Sequence, residues 1–180
     1  MGDIKKLKKK YSRPRHPWLK VRIEEENKLL QDYGLKSKTE IWRMRSKLKT
    51  FADQAKRLIA ATGSQAEVEK QQMMKKLAKL GLLKENATID EVLGLTINNV
   101  LDRRLQTIVF KKGLAKSFKQ SRQFITHEHI FVKDRKVTSP AYLVSIEEEP
   151  LILFSQQSSL VNPEHPERVV SQKKPVEVKS

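Results

Sequence analysis

Apolar side chains recur at intervals of three and four along most of this chain, and at intervals of two only towards its end. From Ser37 or Thr39 to Ala61, the residues Ile41, Met44, Leu48, Phe51, Ala55, Leu58 and Ile59 trace one stripe. That spacing predicts a long amphipathic helix with a single buried face. A shorter helix is predicted before it, over 21–33, with Gly34 as its stop, because glycine accepts the left-handed backbone that closes a helix. A third is predicted over 65–80, capped by Ser64, with Val68, Met73 or Met74, Leu77 and Leu80 inward. Thr88-Ile89-Asp90-Glu91 has the spacing of a capping box and predicts a short helix stopping near Gly94. Thr96 is placed to cap a helix over 97–111, with Val100 or Leu101, Leu105, Ile108 and Val109 on one face and Gly113 at its end. Ser117 opens one more, with Ser121, Phe124 and Ile125 facing in.

The period then changes. His129-Ile130-Phe131-Val132 alternates as a strand does, Lys133-Asp134-Arg135-Lys136 reads as the turn, and Val137 begins the return. Pro140 interrupts before Tyr142-Leu143-Val144, and Leu151-Ile152-Leu153-Phe154 supplies a closing strand. The class is therefore α+β, mostly helical, with a short sheet late in the chain.

Charge changes the picture most. Lys and Arg number 37 against 21 Asp and Glu, a net +16 in 180 residues, which favours association with nucleic acid or an anionic surface. Between Arg103 and Lys136 the basic residues are 103, 104, 111, 112, 116, 119, 122, 133, 135 and 136, against Glu128 and Asp134 alone, a local +8. A folded module with that excess calls for a polyanion. Residues 1–20 carry a local +7 with Tyr11, His16 and Trp18 among the cations and Pro14 and Pro17 breaking any helix. By itself such a segment is expected to be disordered. Along nucleic acid its rings can stack on bases, which makes Lys8, Lys9, Lys10, Arg13, Arg15 and Trp18 candidate contacts. On the long helix, Arg43, Arg45, Lys47, Lys49, Lys56 and Arg57 have few acids at i,i+4 to pair with, so that face also reads as RNA-facing.

Other chemistry finds little support. With no cysteine there is no disulfide, thiolate zinc site or cysteine nucleophile, which points to an intracellular protein. No apolar run reaches the roughly 18–20 residues that span a bilayer, and the basic N-terminus has no apolar region of a signal peptide. Walker, G-x-G-x-x-G and G-x-S-x-G patterns are all missing from the sequence. His127 and His129 could share one face of a strand, yet no third ligand stands near them for zinc; a phosphate or base is the better expectation. Glu147, Glu148 and Glu149 form an exposed run, unsuited to a tuned acid–base pair.

The stretch RRLQTIVFKKGLAKSFKQSRQFITHEHIFVKDRKVTSPAYLV closely resembles the S-four-type RNA-binding domain, a small αL module of two helices on a few strands. The flanks GDIKKLKKKYSRPRHPWLKVRIEEE, YGLKSKTEIWRMRSKLKTFADQAKRLI and LLKENATIDEVLGLTINNVLDRRLQ resemble the archaeal and eukaryotic branch of the small-subunit ribosomal protein four family. Together these cover about residues 2–145. The resemblance implies a basic arm and short helix (1–36), a helical domain (37–102), the RNA-binding module (103–165) and a flexible tail (166–180). It implies a non-enzymatic, primary binder of small-subunit ribosomal RNA in the cytoplasm, without cofactor, metal, membrane contact or self-association. It also implies nucleation of the subunit body, an S-five-type protein as neighbour, nearby messenger RNA and a part in decoding accuracy. Alternatives that share the module are an RNA-modifying enzyme, for which some 150–250 further residues would be needed, and a ribosome-rescue factor.

Carried over from the family, the RNA-facing signature falls on Arg103, Arg104, Ser117, Gln120, Arg122, Gln123, His127, His129, Lys133, Arg135 and Lys136. Lys111, Lys112, Lys116 and Lys119 add charge around it. Arg103, Arg104 and Arg122 are expected to be two-pronged phosphate anchors, since the planar guanidinium matches a phosphate edge. Many relatives have Gly where Glu128 stands and Asn-Gly where Lys133-Asp134 stands. Glycine suits positive φ and close approach to phosphate.

Overall fold

The computed structural model describes residues 9, 11–84, 86–162 and 165–167. Lys8, Lys10 and all of the expected tail beyond residue 167 lie outside the described residues. The helices are α1 (Lys20–Asp32), α2 (Lys38–Ala60), α3 (Ser64–Lys79), α4 (Ile97–Asp102), α5 (Leu105–Lys111) and α6 (Phe118–Thr126). The strands are β1 (Ile130–Val132), β2 (Arg135–Lys136) and β3 (Ile152–Phe154), with 3-10 turns at Ile89–Gly94 and Ser159–Val161.

The apolar stripes build two cores. Met44, Ala55 and Leu58 of α2 meet Met73 and Leu77 of α3, Val100 and Leu101 of α4, and Leu82 and Val92 between them. Leu105, Ile108 and Val109 of α5 pack with Phe124 and Ile125 of α6, Ile130 and Val132 of β1, Val144, Ile152 and Leu160. Burying such side chains is worth about 1.5–3 kcal/mol each, so each group holds its own elements together. Ala141 and Leu143 follow the hairpin in sequence but pack on the first core, so the chain passes back between the two. The sheet is antiparallel in the order β2-β1-β3. Val132 pairs with Arg135 on one side of β1 and with Ile152 on the other.

Several elements differ from expectation. The helix predicted over 97–111 is broken at Arg103 and Arg104, where Arg104 is extended (φ −73°, ψ 143°) and bridges to Leu143. Val144 N donates to Arg103 O at 3.0 Å and Leu105 N to Tyr142 O at 2.8 Å. Strand-like pairing there satisfies the backbone that a continuous helix would have used. The turn of the hairpin is only Lys133-Asp134, because Arg135 and Lys136 already pair with β1. Gly63, not Ser64, precedes the first turn of α3. The Thr88–Glu91 pair caps a 3-10 turn, with Glu91 Oε1 accepting from Thr88 N at 3.0 Å. Ile59 and Val68, expected inward, are exposed, and Ala66 is buried on α3.

The described part of the N-terminal arm is held, not free. The Tyr11 ring lies 6.3 Å from that of Trp42, the Arg43 guanidinium stands 5.7 Å from the Tyr11 ring centre, and Ser12 N donates to Ser46 Oγ at 3.1 Å. Disorder is expected of this segment by itself; within the whole chain its aromatic residue finds a ring on α2. Trp42 is itself fixed by donating from Nε1 to Glu26 Oε1 at 2.9 Å.

Candidate nucleic-acid interface

The module presents α6 through its cap. Ser117 Oγ accepts from Gln120 N at 3.2 Å and so orders the first turn, leaving Lys116, Lys119 and Gln123 exposed. Gln120 is half-buried; its Oε1 accepts from Lys116 N and its Nε2 donates to Glu167 O. Lys116 Nζ donates to Pro166 O at 3.0 Å, so residues 166–167 run beside the start of α6. Lys112 is exposed, and Lys111 is exposed but paired to Asp102 at 3.0 Å. From the end of α6 the chain continues through exposed His127 into β1 and the hairpin, where Lys133, Arg135 and Lys136 are exposed. Lys136 stands 3.6 Å from Glu128 and Lys133 3.9 Å from Glu148, loose pairs at a wet surface, where such pairs contribute little. His129 is half-buried, with Nδ1 2.8 Å from Ser158 Oγ, so that edge of its ring is engaged within the protein.

The three expected phosphate anchors are placed differently. Arg104 is 0 % exposed, and its Nη2 donates to Glu40 Oε2 at 2.6 Å. It cannot reach a phosphate, and the anchor expectation is corrected at this position: the broken helix turns its side chain inward onto α2. Arg122 reaches the same carboxylate, at 2.9 Å to Oε1, and keeps part of its side chain in solvent. Arg103 donates from Nη1 to Glu149 Oε2 at 2.8 Å and from Nη2 to Val144 O at 3.1 Å. All three guanidiniums thus act first as ties within the fold. Burial pushes the Glu40 carboxyl up, but the hydrogen bond and charge of Arg104, followed by those of Arg122, outweigh it and hold its pKa below the ordinary value. Burial lowers the pKa of Arg104, and the contact with Glu40 opposes that shift. Sequence reading missed Glu40. Its signal was its place four residues before Met44, on the apolar stripe of α2.

Away from the module, Arg43, Arg45 and Lys49 are exposed on α2, as are Lys9, Arg13, Arg15 and Trp18 on the arm. Trp18 is 88 % exposed, a large apolar area to leave in water on a folded surface. Among the described residues no group of three or more His, Cys, Asp or Glu could hold a metal ion, and no described helix is long and apolar enough to cross a membrane.

Known proteins share most of this sequence. The S4 domain matches residues 103–149. Small ribosomal subunit protein uS4 of Methanococcus aeolicus is 48% identical over 174 residues, covering 96% of this chain and 98% of its own. Its counterpart in Thermoplasma volcanium is 51% identical over 171 residues, 93% of this chain and 86% of its own. That of Ignicoccus hospitalis is 48% identical over 158 residues, 88% and 95% respectively. Identity of this extent covers nearly the whole chain, and the chain belongs to the small ribosomal subunit protein uS4 family.

Proposed function

We propose that the protein works in the small ribosomal subunit as a primary binder of its ribosomal RNA, holding helices of the subunit body together as they fold. It is a ribosomal protein with an RNA-binding module, not an enzyme. The observation that carries the reading is a set of exposed cations with no carboxylate partner among the described residues. Arg13, Arg15 and Lys9 lie on the arm, Arg43, Arg45 and Lys49 on α2, and Lys112, Lys119 and Arg135 on the module. RNA helices hide their base edges and are read through phosphate and 2′-hydroxyl, which suits cations spread over separate elements.

In this reading Gln123 and His127 add hydrogen bonds beside those cations, Arg122 offers its solvent side, and Arg104 is left out. The finer partners, an S-five-type neighbour and messenger RNA on its way into the subunit, and the role in decoding accuracy, rest on the family resemblance. The test is binding to small-subunit RNA across salt concentration, with sedimentation of the tagged protein in a sucrose gradient. Neutralising roughly 6–10 phosphates predicts a loss of about 10³–10⁵ in affinity between 50 and 200 mM salt, with the protein travelling in the small-subunit peak. Salt-insensitive binding, or migration with the large subunit, would overturn the reading.

A further inference from the structure

The arm and α2 enclose a cleft of about 160 Å³ lined by Ser12, Arg13, Pro14, Trp42, Arg45 and Ser46. We propose that this cleft seats one backbone phosphate of the ribosomal RNA, with Trp42 as the wall for the attached sugar. The inference rests on the reading of the protein as an RNA binder and names one place where that binding is built in.

Two arginines line the cleft and no carboxylate does. Neither Arg13 nor Arg45 has an ion-pair partner among the described residues. Two guanidiniums facing one small space repel each other unless an anion lies between them, and arginine is the side chain whose fork fits phosphate oxygens. The hydroxyls add a donor. Ser46 Oγ accepts from Ser12 N at 3.1 Å, and the two Oγ atoms are 3.4 Å apart. Whichever hydroxyl donates to the other, one O–H is left to point elsewhere. Water takes about 30 Å³ in the liquid, so the cleft has room for a phosphate and the edge of its ribose. The walls are fixed in advance. Trp42 is held by Glu26, Tyr11 lies against Trp42, and Pro14 restricts the arm backbone. Preorganisation of this kind lowers the ordering cost of binding.

The test uses the full chain and its small-subunit RNA. Arg13→Gln with Arg45→Gln is compared with Lys28→Gln with Lys75→Gln, which removes the same charge from exposed positions of α1 and α3 outside the cleft. The cleft pair is expected to lose about tenfold in affinity, the control pair about threefold or less, and the salt slope of the cleft variant to fall by about 0.7–0.9, one phosphate's worth. Arg13→Lys with Arg45→Lys should recover only part of the loss. In a Trp18→Phe background Trp42 is the one remaining tryptophan, since the chain has two, and its emission should change on RNA binding and stop changing in the cleft variant. Equal losses for the two pairs, with wild-type binding intact, would overturn the cleft and leave the RNA reading standing. No RNA binding by the wild type would sink both. Inorganic phosphate that shifts Trp42 emission at sub-millimolar concentration, with RNA binding unaltered in the cleft variant, would assign the space to free phosphate and also overturn the proposal.

Discussion

Glu40 serves two arginines, one in the break before α5 and one in α6, and the chemistry of that single carboxylate can be tested directly. Arg104 keeps its charge in the interior with Nε and Nη1 lacking partners, so Glu40 is the group that neutralises it. Removing one partner of a buried pair costs about 3–5 kcal/mol, because the other charge is stranded. Glu40→Ala is therefore expected to lower thermal stability steeply, read as a drop in melting temperature. The acid side follows from the depressed pKa. The contribution of Glu40 is complete above its unfolded value of about 4.3 and is lost as pH falls through its lower folded value. Melting temperature should decline below about pH 4 in the wild type and less steeply in Glu40→Gln, measured by circular dichroism. Arg122→Glu would set a second carboxylate against Glu40, so it is expected to destabilise the fold as well as weaken RNA binding. Glu128 and Lys133 both have positive φ, 63° and 57°, which costs an L-residue about 1–2 kcal/mol. Glu128→Gly, which gives up only the exposed pair with Lys136, is expected to raise stability by about 0.5–1 kcal/mol in denaturant titration. The inward turn of Arg104 was not readable from sequence, because two adjacent arginines in a helical period carry no mark of which one will be buried.

Among the elements, those with a strong period were legible and those joined by tertiary contacts were not. α2, α3 and α6 follow most of the apolar stripes that predicted them, and Ser117 caps where its position suggested, while Thr96 holds the N-cap position without a capping hydrogen bond from its side chain. The division between α4 and α5 depends on pairing with Leu143, some forty residues downstream, which local spacing cannot report. The contacts of the arm were not legible because its charge and prolines dominate its composition, while the ring that receives Tyr11 belongs to a different element. Gly34, read only as a helix stop, does more: φ is +56°, and a Cβ there would lie 2.5 Å from the Phe118 Cβ at the start of α6. Gln106, buried beside it, donates to both Gly34 O and Phe118 O, at 3.1 and 2.8 Å. Gly34→Ala is thus expected to cost at least about 2 kcal/mol, from backbone strain together with crowding. A denaturation midpoint equal to wild type would show that α6 can shift away from this corner.

On the scale of the whole molecule, the two cores are coupled through polar ties: Glu40 to Arg104 and Arg122, and Gln106 to Gly34 and Phe118. The S4 match begins at residue 103, at the edge of these ties, so the matched stretch cut out alone would carry Arg104 without its counter-ion. Heat should then unfold the intact protein in one transition, and calorimetry that resolved two would show the ties to be weak. The order of synthesis adds a further consequence. Glu40 precedes Arg104 by 64 residues and Arg122 by 82, so during translation its carboxylate emerges long before either cation exists. The nascent helical half must wait, acid uncompensated, until the second half arrives to lock it, and a stall anywhere between would expose a half-built chain to proteases.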